Sequence, residues 1–176
     1  MMDNVFHCRD TVIGVRIDQW VPTLDAAARR SPLRRSRLCL HTDPGDAIQE
    51  MLILMLADSV VFPHGQVGNS KSYHLIEGRM TVVFMTDDGD IHSCLDLAAA
   101  GGDAPSLFRL NGKLWHSVIC RSERVVYHEV TGGPFVPTAP GVPSWLPEDE
   151  ESKVAHHRTL LQRAGAWMAK SETLPS

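Results

Sequence analysis

Pro63–Gly78 reads PHGQVGNSKSYHLIEG, and its spacing decides how the chain is read. Side chains two apart along a strand share a face. His64 and Gln66 therefore project together, while Lys71, Tyr73 and Leu75 form a second same-face set with His74 on the opposite side. Farther on, LNGKLWHSVI (Leu110–Ile119) places His116 in a strand just after an Asn-Gly turn. Three strands can thus aim His64, Gln66, Lys71 and His116 into one cavity.

Outward from this stretch, short β-rich runs alternate with turn residues. The expected strands are Arg37–His41, Gln49–Leu56, Ser59–Pro63, Ser72–Ile76, Met80–Thr86, Ile91–Asp96, Leu107–Leu110, Trp115–Cys120 and Val125–Val130. Asp43-Pro44-Gly45, Glu77-Gly78, Asp88-Gly89, Gly101-Gly102 and Asn111-Gly112 separate them with turn chemistry. Asp88-Gly89 between two apolar runs is a strong hairpin signal. Many short strands with no long helix between them exclude a parallel α/β sheet and indicate a sandwich or closed barrel.

Helical signals flank the β region. Residues 18–29 (DQWVPTLDAAAR) predict a short helix ended by Ser31-Pro32. After Val130 a Pro- and Gly-rich strap, TGGPFVPTAPGVPSWLP, leads to an amphipathic helix over Glu148–Lys170. Val154, Leu160, Leu161, Ala164 and Trp167 share one of its faces, and Glu148–Glu151 crowd its start, where the helix dipole favours negative charge. The expected organisation is an N-terminal extension over 1–35, a barrel over 36–135, and a strap with a helix over 136–176.

Composition fits an ordinary globular domain: 43% hydrophobic and 22% charged residues among 176. A formal charge of -4 gives no electrostatic reason to expect nucleic acid. No apolar run reaches the roughly 20 residues that span a bilayer, and the N-terminus shows no secretory pattern. Cys8, Cys39, Cys94 and Cys120 form no CxxC pair and are expected as free thiols in a cytoplasmic protein.

The histidine and glycine spacing resembles the first motif of the cupin superfamily, in which His-any-His is followed by a Glu and, six residues later, a Gly. A second motif adds a His after a tight turn. His64 and Gly78 fit both ends of the first motif and His116 fits the second. Counting four residues forward from Gln66, or six back from Gly78, reaches Lys71 either way. The likeness extends to the bacterial cupin-fold metalloprotein family called WbuC, carried by ARRSPLRRSRLCLH, AIQEMLILML, IEGRMTVVFMTDDGDI, LWHSVI, VVYHEVTGGPF and PSWLPEDE in order.

The resemblance implies an all-β fold: a small antiparallel cupin (jelly-roll) barrel with flanking N-terminal and C-terminal helices. It also implies a divalent metal (Zn, Fe, Mn or Ni), a link to polysaccharide or O-antigen sugar pathways, and a homodimer. The chain departs from the pattern where ligands matter. Gln66 stands at the second His position and Lys71 at the Glu position. A Gln carbonyl is a weak ligand, and an ammonium beside a dication costs on the order of a few kcal/mol.

Three readings stay open. His64, Gln66 and His116 hold a metal, with Lys71 as a nearby base. Alternatively, Lys71 and the two histidines form a basic pocket for an anionic or sugar ligand, with Lys71 and Tyr73 as the groups that act on it. In the third, the barrel is a binding or structural module. His74 is a minor ligand candidate that only a bulge would turn inward. Glu129 is a polar partner in the barrel mouth or an exposed strand residue, and His41 and His128 lie at or beside family positions. The Arg29–Arg37 run reads as solvated surface, with Arg34 and Arg35 the first to test against a nucleotide sugar. His7, His92, His156 and His157 read as solvated.

Overall fold

The computed structural model describes residues 4–65, 70–112, 114–134 and 141–171. Nine strands and two helices follow in order: β1 (Val5–His7), α1 (Ile17–Arg30), β2 (Arg35–Cys39), β3 (Ile48–Leu56), β4 (Lys71–Glu77), β5 (Arg79–Met85), β6 (Ile91–Ala98), β7 (Leu107–Leu110), β8 (Trp115–Cys120), β9 (Arg124–Gly132) and α2 (Glu150–Ser171). One sheet has the order β1-β2-β3-β9-β4-β7 and the other β6-β5-β8. The two helices flank the strands as expected.

Period-two alternation builds the core between the sheets. Ile53, Met55, Tyr73, Leu75, Phe108, Val125 and Tyr127 from the larger sheet meet Met80, Val82, Phe84, Leu97 and Val118 from the smaller one. Phe84 and Phe108 close across the gap with ring centroids 5.6 Å apart. The larger sheet turns its other face to α1, where Leu24 and Ala28 pack on Leu38, Leu52, Leu54 and Val126. The outer face of the smaller sheet takes α2 through Leu160 and Ala164 against Val83, Met85 and Ile119. Each apolar face is thereby removed from water, at roughly 25 cal/mol per Å² of apolar surface.

Turn chemistry sets the corners. Gly78 joins β4 to β5 at φ 85° and Gly89 joins β5 to β6 at φ 83°, a region open to glycine and costly to other residues. At Gly78 a Cβ would also run into the Arg124 carbonyl.

Two local expectations change. Ser59–Pro63 is not a strand, because Pro63 has no N–H to give a ladder. His64 alone pairs with His116, through reciprocal backbone hydrogen bonds of 3.0 and 2.9 Å. β1 was not expected; it pairs in parallel with β2, the exception among otherwise antiparallel pairings. All four cysteines are free. Among the described residues no helix is long and apolar enough to cross a membrane.

Candidate functional site

The site is built from side chains that β4, β8, β9 and one isolated bridge bring together. His116 lies on β8 opposite Phe84, so its ring faces the core, where it is fully buried. The bridge to His64 sets the second imidazole beside it, ring centroids 4.3 Å apart. From the opposite sheet, β4 supplies Lys71 and Tyr73, which stand two residues apart and are 4% and 1% exposed.

The hydrogen bonds fix both tautomers. His64 Nδ1 donates to the Phe62 carbonyl at 2.9 Å and His116 Nδ1 to the Leu114 carbonyl at 3.2 Å. A carbonyl only accepts, so each Nδ1 carries the proton and each Nε2 presents a lone pair to the interior. Lys71 Nζ lies 3.4 Å from His64 Nε2 and the Tyr73 hydroxyl 3.5 Å from His116 Nε2, both long for hydrogen bonds. Lys71 Nζ is also 3.3 Å from Glu129 Oε1 and 5.5 Å from the Tyr73 ring centre.

Glu129 reaches Lys71 because β9 is paired with both β3 and β4, opposite Met51 and Tyr73. It is 8% exposed. Of the two roles open to it, the structure gives the inward one.

Burial dominates the electrostatics. It pushes His64 well below its usual range, and the charge of Lys71 pushes further. His116 is pushed down to about 3, by burial first and by Lys71 second. Burial and then Glu129 raise the Tyr73 hydroxyl well above its usual value. At neutral pH the cluster therefore holds two neutral imidazoles and a protonated phenol.

His74 is exposed, opposite His128 on the outer face. The only register shift along the β4–β9 pairing comes after it, between Leu75 and Glu77, so no bulge turns His74 inward. His128 bonds Glu50 at 2.8 Å on that outer face, and His41 bonds the backbone of Glu50. His7 and His92 are exposed. Gln66 lies outside the described residues.

Two residues behave differently from their sequence reading. His157, expected in solvent, is 3% exposed, and burial lowers its pKa against the Val61 and Ser59 carbonyls. Its spacing from Leu160 and Ala164 is that of one helix face, a signal present in the sequence. Arg35, expected on the surface, stands opposite Met55 in the β2–β3 register and so faces the interior. That follows from a long-range register, which no local pattern reveals.

Two facing sheets closed over an inward histidine pair make this a small cupin-type β-barrel. The model of a domain of unknown function, DUF6016, matches residues 18–97, a span that holds His64 and Lys71 but neither His116 nor Glu129. No curated protein matches the chain. Among solved structures, it is similar to the cupin domain of Cnp3 from Schizosaccharomyces pombe, with 12% identity, 56% of this chain and 64% of that one covered, and a TM-score of 0.43. The chain thus spans less than two thirds of that relative. Protein SO0799 from Shewanella oneidensis is similar at 9% identity, over 71% and 79% of the two chains, with a TM-score of 0.47. EutQ of Clostridium difficile is similar at 10% identity over 57% and 68%, with a TM-score of 0.41.

Proposed function

We propose that this cupin-type domain binds a small polar, carbohydrate-type ligand without a metal, and that the Lys71 ammonium supplies the positive charge at the centre of the site. The observation that carries this reading is the position of Lys71 Nζ, within 3.4 Å of His64 Nε2 and 3.3 Å of Glu129 Oε1. Neutral imidazole and carboxylate are the donors a divalent metal would seek. Here they face a cation already attached to the chain. A dication at the histidine pair would sit within a few ångströms of that ammonium, where a double and a single positive charge about 4 Å apart repel by about 8 kcal/mol at an effective dielectric of about 20. The donor set does not fit a bound divalent metal while Lys71 keeps this position.

In this reading Lys71 and Tyr73 organise and bind rather than turn substrate over. Lys71 neutralises Glu129, which would otherwise be a lone buried charge. Tyr73 faces the free lone pair of His116. The carbohydrate-type ligand rests on the resemblance to the WbuC family and is part of the proposal. So are a homodimer, read out by light scattering, and a cytoplasmic location, read out by fractionation.

Elemental analysis of the purified full chain tests the reading, with His64→Ala and His116→Ala as controls. The expected result is bound metal below about a tenth of an equivalent, unchanged by either substitution. Stoichiometric metal lost in both variants would overturn it.

A further inference from the structure

Arginines 29, 34 and 35 differ in what they meet. Arg29 pairs with Asp25 at 2.6 Å and Arg34 with Asp58 at 2.8 Å, both on the outside. Arg34 sits at φ 56° immediately before β2. From there the strand alternation sends Arg35, Arg37 and Cys39 toward the interior, opposite Met55, Ile53 and Met51.

Arg35 is partly buried and Arg37 exposed, so one lies deeper and the other at the rim. Among the described residues no carboxylate is ion-paired with either guanidinium. Arg35 nevertheless lies within electrostatic reach of Tyr127, Glu129 and Tyr73 and of His64. Removing an arginine from water without a carboxylate is unfavourable unless something else compensates it. The lowered pKa of Arg35, caused by burial first and by neighbouring Arg37 among the charges, reflects this.

Charge along this inward face is lopsided. Among the described residues Arg35, Arg37 and Lys71 stand against Glu129 alone, and Glu129 is already engaged by Lys71. The planar fork of a guanidinium suits a two-oxygen acceptor.

We propose that Arg35, assisted by Arg37 at the rim, is an oxyanion-recognition point of the barrel interior, so that the ligand carries a phosphate or carboxylate group. This rests on the reading of the interior as a ligand site and names the chemical class that the site selects. Arg35 binds the oxyanion through its fork, and the neutral part of the ligand extends toward the histidine pair.

Calorimetric titration of the full chain at constant ionic strength tests the proposal with four probes: inorganic phosphate, malonate, glucose 1-phosphate and glucose. Saturable binding of at least one oxyanion probe, none of glucose, and a loss of roughly tenfold or more in Arg35→Met are expected. Phosphate against malonate distinguishes the two oxyanion sources. Arg34→Met, on the outer surface, should bind as the parent does. Arg35→Gln keeps a polar chain and the test decisive should Arg35→Met fail to fold. Oxyanion binding undiminished in both Arg35 variants, or no binding of any oxyanion probe at millimolar concentration, overturns the proposal. Undiminished binding in the Arg35 variants that is abolished in Lys71→Met would do so while leaving the interior ligand site standing.

Discussion

Lys71 and Glu129 illustrate how much one buried pair can decide. Their side chains are 4% and 11% exposed, so neither charge is well solvated, and each depends on the other. Truncating one partner of such a pair costs about 3–5 kcal/mol, whereas replacing both with apolar groups is often neutral. Lys71→Met should therefore lower the unfolding free energy by about that amount, and Lys71→Met with Glu129→Met should recover most of it. Urea unfolding of the four proteins of that cycle measures the coupling. A single variant as stable as the parent would mean that the carboxylate finds other partners. Gly78 is the other residue whose identity is dictated locally. Gly78→Ala must hold a Cβ at φ 85° against the Arg124 carbonyl and should cost more than about 1 kcal/mol. A thermal shift of the purified variant reads this out, and an unchanged midpoint would contradict the tight β4–β5 corner.

At the level of elements, α2 is held by a small apolar contact. Leu160 is 1% exposed and Ala164 fully buried on the smaller sheet. Leu160→Ala should cost about 2–5 kcal/mol, measured by chemical denaturation; a loss well under 1 kcal/mol would show that α2 adds little to the fold. The strands were legible because alternation and turn residues are local: β3, β5, β8 and the Asp88-Gly89 hairpin stand within a residue or two of their expected bounds. The inward face of Lys71 and Tyr73 was legible for the same reason. What escaped depends on partners far along the chain. Ser59–Pro63 reads as a strand until the missing Pro63 donor and the lone His64–His116 bridge are considered together. Arg35 looks like one more surface arginine until the register with β3 turns it inward. Glu129 could be placed on either face until β9 was paired with β4.

The molecule as a whole keeps four buried or partly buried histidines neutral, His64, His116, His156 and His157, each pushed below its usual value chiefly by burial. Below pH of about 6.5 the unfolded chain takes up protons at these positions that the folded chain does not. Stability must therefore fall as pH drops below about 6.5. For His116 the fall continues toward its folded value of about 3. Each such histidine adds up to about 1.4 kcal/mol per pH unit inside that window. Urea midpoints at pH 7.5 and 5.5 should drop on acidification, and His157→Gln should shrink the drop; equal midpoints in the parent would contradict the neutral assignment.

The ion-paired lysine at the centre of the site is the claim on which the rest depends, and zinc titration of the parent against Lys71→Glu tests it most directly. Converting the ammonium into a carboxylate beside His64, His116 and Glu129 removes the repulsion and adds a donor. Weak, non-stoichiometric zinc binding by the parent is expected, with a one-to-one complex at least roughly a hundredfold tighter in the variant. Equal affinity in the two proteins, or tight stoichiometric binding by the parent, would contradict the claim.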